Sequence, residues 1–175
     1  MSDPQPWRNA RPAPHLSEVQ PRLAQLLIPG WLRAWWPALL WAGFIFVMST
    51  DAFSSQHTAG FFEPVIRWFA PSLTRAQVAL VHHYIRKCAH VTEYFVFCTL
   101  LYRGIRGART GWRWSWALAA LFIAAGYSAL DEIHQAFVAS REARVSDSLL
   151  DSTGAFFAVA TLYLWFRRRA TDSSR

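Results

Sequence analysis

The chain has 175 residues, of which 53% are hydrophobic, 16% aromatic and 17% charged, with a formal net charge of +7. That length supports one domain, ten tryptophans and thirteen phenylalanines exclude a disordered chain, and two isolated cysteines, Cys88 and Cys98, exclude both a disulfide scaffold and CxxC zinc spacing. A charged fraction below the roughly 25% of ordinary soluble domains, combined with a pI near 10.2, makes the location of the positive charges the first question.

Residues 1–30 hold six of the nine prolines, with polar residues between them. Proline blocks helix propagation, so this segment reads as a disordered cytoplasmic arm. It has no compact apolar run ending in small residues, which excludes a cleavable signal peptide. Ala34–Met48 then carries no charge and extends to Thr50. Residues 34–50 approach the length that crosses about 30 Å of hydrocarbon at 1.5 Å per residue. Phe44-Ile45-Phe46-Val47-Met48 is apolar all round, whereas a soluble helix shows one apolar stripe.

Gly60–Ala70 mixes aromatics with charge and is too short to cross. It reads as an interfacial or re-entrant piece. Thr74-Arg75-Ala76-Gln77 fits a capping box, allowing a helix to start there and run unbroken into a second span over 83–103. That span is polar in its first half and apolar in its second. A third span covers 114–133 and a fourth 148–166, closed by the stop-transfer anchor Arg167-Arg168-Arg169 and the tail 170–175. The expected fold class is all-α: a polytopic four-helix transmembrane bundle with the interfacial segment between spans one and two.

With both termini cytoplasmic, twelve basic and three acidic residues fall inside, and six basic and eight acidic residues fall outside. This obeys the positive-inside rule. Trp31, Trp35, Trp36, Trp112, Trp114, Trp116 and Trp165 gather near the inner boundary, as an interfacial belt does. The positive charge therefore reports topology, and no nucleic-acid partner is expected.

The same topology gathers polar residues at the outer level. Span two enters with Arg86, Lys87, His90 and Glu93; span three leaves with Asp131, Glu132, His134 and Gln135; span four re-enters with Arg141, Arg144, Asp147 and Asp151. Span one leaves with Ser49, Thr50 and Asp51. Lys87, His90, Glu93 and Tyr94 step by three or four and share a broad helix face. Ionisable groups at membrane depth cost roughly 2.5–3.5 kcal/mol each on insertion scales, so they face inward and pair. His90-x-x-Glu93 and Asp131-x-x-His134 have the spacing of bundle metal ligands. Lys87, Arg141 and Arg144 compete for those carboxylates, and no dense ligand motif is present, so no metal or other cofactor is expected. A cationic rim over carboxylates also suits binding of a phosphate or carboxylate, with His90 as a general base and Glu93, Asp131 and Asp147 as further catalytic candidates. The plain alternative is an ion-pair network that locks four helices together.

These residues also carry a family resemblance. Arg86-Lys87-Cys88-Ala89-His90-Val91-Thr92-Glu93-Tyr94 resembles the RKxxHxxEY segment of VanZ-like membrane proteins. Residues Ser128 to Val138 resemble their SxxDEIHQxFV segment, and Arg141 followed by Asp147, Asp151 and Gly154 resembles a third element. Phe53-Ser54-Ser55-Gln56 resembles the serine-rich element after their first span. One departure is Ala139-Ser140, where the family usually has Pro-Gly. The resemblance covers about 36–166 and implies a bacterial inner-membrane protein associated with resistance to the glycopeptide teicoplanin. Carried over residue by residue, it implies a binding site of Lys87, His90, Glu93, Asp131, Glu132, Gln135, Arg141, Asp147 and Asp151. The expected ligand is an anionic lipid, a cell-wall precursor or a glycopeptide.

The alternative is a membrane-embedded hydrolase or transferase acting on a lipid-linked phosphate. Ser140-Arg141-x5-Asp147-x3-Asp151 echoes an element of type 2 phosphatidic acid phosphatases, but Asp147 stands where those enzymes hold their nucleophilic histidine. A transporter is disfavoured, because span one and the second half of span two lack mid-membrane polar residues.

Overall fold

The structure, a computed structural model, describes residues 29–53, 55–138 and 145–172. The proline-rich segment over 1–28, Ser54, residues 139–144 with Arg141 and Arg144, and residues 173–175 lie outside the described residues. Among those described there are five α-helices and no strand: α1 (Gly30–Met48), α2 (Ser55–Phe69), α3 (Arg75–Arg106), α4 (Trp114–Gln135) and α5 (Val145–Asp172). A 3-10 turn, Asp51–Phe53, joins α1 to α2.

Three helices, α1, α4 and α5 from Ser146 onward, are long and apolar enough to cross a membrane. Their outward faces remain uncovered: Leu39, Leu40 and Phe46 on α1, Phe122 and Leu130 on α4, and Phe156 and Phe157 on α5 are exposed. Only 11% of the apolar window of α1 is buried. A soluble protein does not leave continuous apolar faces of this kind in water, so the surface excludes a soluble helical domain.

Helix α3 organises the packing and touches α1, α2, α4 and α5. Its start is set by the capping box: Thr74 Oγ1 accepts from the Gln77 backbone N–H at 3.3 Å, while Gln77 Oε1 accepts from the Thr74 N–H at 2.9 Å. With two orphan donors satisfied, the helix runs unbroken for 32 residues. Its second half is buried through Tyr94, Phe97, Cys98, Leu101 and Tyr102. Small residues let the neighbours approach closely. Ala117, Ala120 and Ala124 on α4 and Ala155 and Ala158 on α5 are fully buried. Gly154 is tighter still, since a Cβ there would sit 2.2 Å from the Val91 carbonyl oxygen of α3. At the other end of α3, the Trp35 ring of α1 fills the space where a Gly104 Cβ would stand, 3.1 Å away.

That end is aromatic and basic. Trp112 stacks on Tyr102 with centroids 5.3 Å apart, and Trp114 packs on Tyr163 at 5.1 Å. Arg109 lies over Trp116 at 4.6 Å and Arg169 over Trp165 at 4.1 Å, distances at which a guanidinium gains from the ring quadrupole. The polar residues lie at the opposite end.

Helix α2 spans about 22 Å at 1.5 Å per residue, too short to cross. It packs on α3 and on the 3-10 turn. Ile66 and Phe62 face inward, and Phe62 lies against the His82 ring with centroids 5.1 Å apart. Phe61, Val65, Trp68 and Phe69 point away from the protein.

Candidate functional site

The polar end is built from two linked groups of side chains. In the first, Asp131 at the end of α4 is buried and its Oδ2 accepts twice. Ser49 Oγ donates at 2.7 Å from the end of α1, and Gln135 Nε2 donates at 2.9 Å from one turn further along α4. The i,i+4 spacing of Asp131 and Gln135 makes the second bond local. The first ties α1 to α4, as does Tyr127 Oη, which donates to the Ala42 carbonyl at 2.8 Å.

In the second group, Asp151 of α5 is 1% exposed. Its Oδ2 accepts from Ser128 Oγ of α4 at 2.9 Å, and Ser128 Oγ, its one proton given to Asp151, accepts from the Ser148 hydroxyl 3.1 Å away. Its Oδ1 lies 3.3 Å from His90 Nδ1 of α3. One helical turn toward the polar end, Lys87 Nζ of α3 is paired with Asp147 of α5. The two α3–α5 pairs repeat because 87 and 90, and 147 and 151, each step by about one turn. A buried carboxylate holding two neighbouring helices is what an apolar surrounding requires, because an unpaired charge there costs several kcal/mol.

The shared helix face read from the sequence divides in three dimensions. Lys87 and His90 engage α5, whereas Tyr94 sits in the core at 0% exposed. Glu93 lines a cavity, and its backbone carbonyl accepts from Trp41 Nε1 of α1 at 2.9 Å. Glu132 is buried at the end of α4. His134 leaves the group, its ring stacking on Phe46 of α1 with centroids 4.8 Å apart and 14° between planes. The described residues contain no group of three or more His, Cys, Asp or Glu placed to hold a metal ion. Arg141 lies outside the described residues.

Beside these networks is a cavity of about 100 Å³. It is lined by Met48 and Ser49 of α1, Thr58 and Phe62 of α2, and Ile85, Arg86, Ala89, His90 and Glu93 of α3. Its wall is part apolar and part charged. Thr58 Oγ1 lies 3.4 Å from His82 Nε2, tying α2 to the head of α3. Burial, with the neighbouring Arg86 charge second, holds the His82 imidazole below its ordinary pKa.

Four contributors to this end lay outside the binding set carried over from the resemblance: Ser49 and Arg86, both read at the outer level, with Ser128 and the inner face of α2. Ser128 precedes Asp131 by one turn, so helical spacing placed it on the carboxylate's face. Ser49 ends an apolar run, and its bond to Asp131 crosses 82 positions of chain, which no local spacing can show.

Three span-length apolar helices with uncovered outward faces, and a polar end buried between them, define a helical membrane protein. The chain belongs to the VanZ/LLP1 family, whose model matches residues 34–167. No curated protein and no solved structure matches the chain. The matched region begins within α1 and ends within α5, so it takes in most of each helix and both polar networks.

Proposed function

We propose that the protein crosses the bacterial inner membrane four times, with α3 as the polar-headed fourth span and both termini in the cytoplasm. Its outward-facing cavity binds the anionic headgroup of a lipid or of a lipid-borne cell-wall precursor. The observation that carries this reading is the cavity lining, where Arg86, His90 and Glu93 stand together with the apolar side chains of Met48, Phe62 and Ile85. The remaining acids of this end have partners of their own. Asp131 is bonded to Ser49 and Gln135, Asp151 faces Ser128 and His90, and Asp147 is paired with Lys87. An arginine on the wall suits a phosphate, with which it forms charge-assisted hydrogen bonds, and Glu93 suits a hydroxyl or amine of the same headgroup.

Size narrows the ligand. About 100 Å³ is well below the roughly 300–1,000 Å³ that encloses a drug-sized molecule. The cavity therefore suits a headgroup and not a whole glycopeptide.

Two experiments test these statements. In a Cys88→Ser background, Glu63→Cys should react with an impermeant maleimide added outside intact cells, and Arg109→Cys should not; the reverse pattern reverses the orientation. For the ligand, Arg86→Gln should weaken retention of phosphatidylglycerol over phosphatidylcholine by about tenfold, one charged hydrogen bond being worth roughly 1.5–3 kcal/mol. If Arg86→Gln and His90→Ala instead disappear from the membrane fraction, the polar end serves only to hold the helices.

One observation favours a second reading, a hydrolase or transferase acting on a lipid-linked phosphate. His90 lines the cavity and its Nδ1 stands 3.3 Å from Asp151 Oδ1, so Nε2 is the nitrogen that would take a proton from water. Release of inorganic phosphate from a polyprenyl phosphate by purified protein, abolished in His90→Ala, would establish it.

A further inference from the structure

We infer that the basic end of the protein has a lipid site of its own, where Arg109, Arg113 and the N-terminus of α4 bind the phosphate of an anionic phospholipid. It lies at the opposite end from the cavity and does not depend on what the cavity binds.

The turn from α3 to α4 builds two cations into place. Arg109 Nε donates to the Arg106 carbonyl at 2.9 Å and its Nη2 to the Ile105 carbonyl, so this guanidinium closes the last turn of α3. The same guanidinium lies over the Trp116 ring at 4.6 Å, and that of Arg113 lies over it at 5.3 Å. Both arginines are exposed, and neither has a carboxylate partner among the described residues. Two like charges held on one indole repel each other, and an anion beside both offsets that cost.

The start of α4 adds donors. Its N-cap residue, Arg113, makes no side-chain cap bond, and no acidic residue stands in the first turn. The N–H groups of Trp116 and Ala117 reach the Arg113 carbonyl, whereas those of Trp114 and Ser115 have no acceptor among the described residues. Free N–H groups and the positive end of the helix dipole favour an anion here. Tyr102, 2% exposed, brings its hydroxyl beside the Arg113 backbone without a hydrogen-bond partner. Trp112 Nε1, on the ring stacked against Tyr102, is buried without a partner too. Folded interiors leave few such donors unmet. This corner has cations and donors in surplus, with no acid among the described residues to answer them.

The surroundings select a lipid over a soluble phosphate. Trp114 opens a span-length apolar helix, which puts this N-terminus where hydrocarbon gives way to headgroups. Trp116, Ile123 and Tyr127 share one flank of α4 by helical spacing, and Tyr127 reaches Ala42 of α1. Toward the basic end α1 follows α3, with Trp35 against Gly104 and Arg103 Nη1 bonded to the Ala34 carbonyl at 3.3 Å. Ile123, two turns along α4 from Trp116, is left 45% exposed. An acyl chain would cover this flank, whereas a soluble phosphate would gain nothing from it. Basic pockets of this kind at a membrane edge take anionic headgroups.

The test uses the full chain in phosphatidylcholine nanodiscs doped with phosphatidylglycerol that carries a photoactivatable group in its headgroup. Labelled peptides are read by mass spectrometry, which separates this site from the cavity. Residues 107–118 should be labelled in the wild type and about tenfold less in Arg109→Gln/Arg113→Gln. Arg167→Gln/Arg168→Gln removes the same charge from the same end and should stay within about twofold of wild type. Because Arg109 also closes α3, Ser115→Asp provides a second variant. A carboxylate in the first turn suits the helix dipole and takes the free N–H groups, so labelling should fall about tenfold while the melting temperature holds. Equal loss in the two double variants would reduce the site to attraction by net charge and overturn it. So would unchanged labelling in Ser115→Asp, or displacement of the lipid by excess glycerol 3-phosphate.

Discussion

Gly154→Ala should destabilise the protein by about 3 kcal/mol, at the upper end of ordinary overpacking costs. The sign is opposite to intrinsic preference, because alanine is favoured over glycine inside a helix by roughly 0.5–1 kcal/mol. The cost arises from the crossing of α3 and α5. A Cβ at Gly154 would stand 2.2 Å from the Val91 carbonyl oxygen, 3.0 Å from its carbon and 3.1 Å from its Cα. All three atoms are backbone, so no rotamer change relieves the clash and the helices must separate. Separation pulls Asp147 and Asp151 away from Lys87 and His90, so ligand retention should fall along with stability. Gly126→Ala in α4 is the control, since nothing lies within 4 Å of its Cβ position. Thermal denaturation in detergent followed by size exclusion should show a large loss for the first variant and none for the second. Equal behaviour of the two would mean that the α3–α5 contact is looser than its geometry.

The second large effect belongs to Asp151. Removal by Asp151→Ala leaves Ser128 Oγ without its carboxylate acceptor and His90 Nδ1 without the carboxylate 3.3 Å away, both between helices. Breaking a buried pair from one side costs about 3–5 kcal/mol. Asp151→Asn keeps an acceptor for Ser128 and removes the charge, so it should cost less, about 1–3 kcal/mol, and still insert. The pair of variants separates two roles. If Asp151→Asn is folded yet no longer retains phosphatidylglycerol, the carboxylate acts through the orientation of His90. If it retains the lipid fully, Asp151 holds the helices and does nothing further. Asp131 provides a comparison, because its acceptor bonds come from Ser49 and Gln135 and do not involve His90.

The membrane character of the chain was legible in the sequence because hydropathy is a local property. Each of α1, α4 and α5 announces itself by an uncharged run, and the solvent it needs follows without knowledge of its neighbours. The start of α3 was equally legible, since a capping box closes within four residues. The grouping of polar residues at one end followed from antiparallel topology and the 3.6-residue period. Asp131 with Gln135 is a contact of this kind, both partners lying on one helix.

What the tertiary structure decided is which polar residues meet across helices. Helix rotation about its own axis sets that, and packing fixes rotation through contacts distant in sequence. Thus Lys87, His90 and Glu93 were read on one face; across helices Lys87 pairs with Asp147 and His90 stands beside Asp151, while His90 and Glu93 together line the cavity. His134 had the spacing of a partner for Asp131, but Phe46 takes its ring. Ser49 was read at the outer level, but its partner lies 82 positions away and no local spacing names it. Sequence by itself determined the solvent, the helices and the polar end. Only packing determined the pairs and the cavity, because a hydrogen bond between helices depends on a rotation that no single helix encodes.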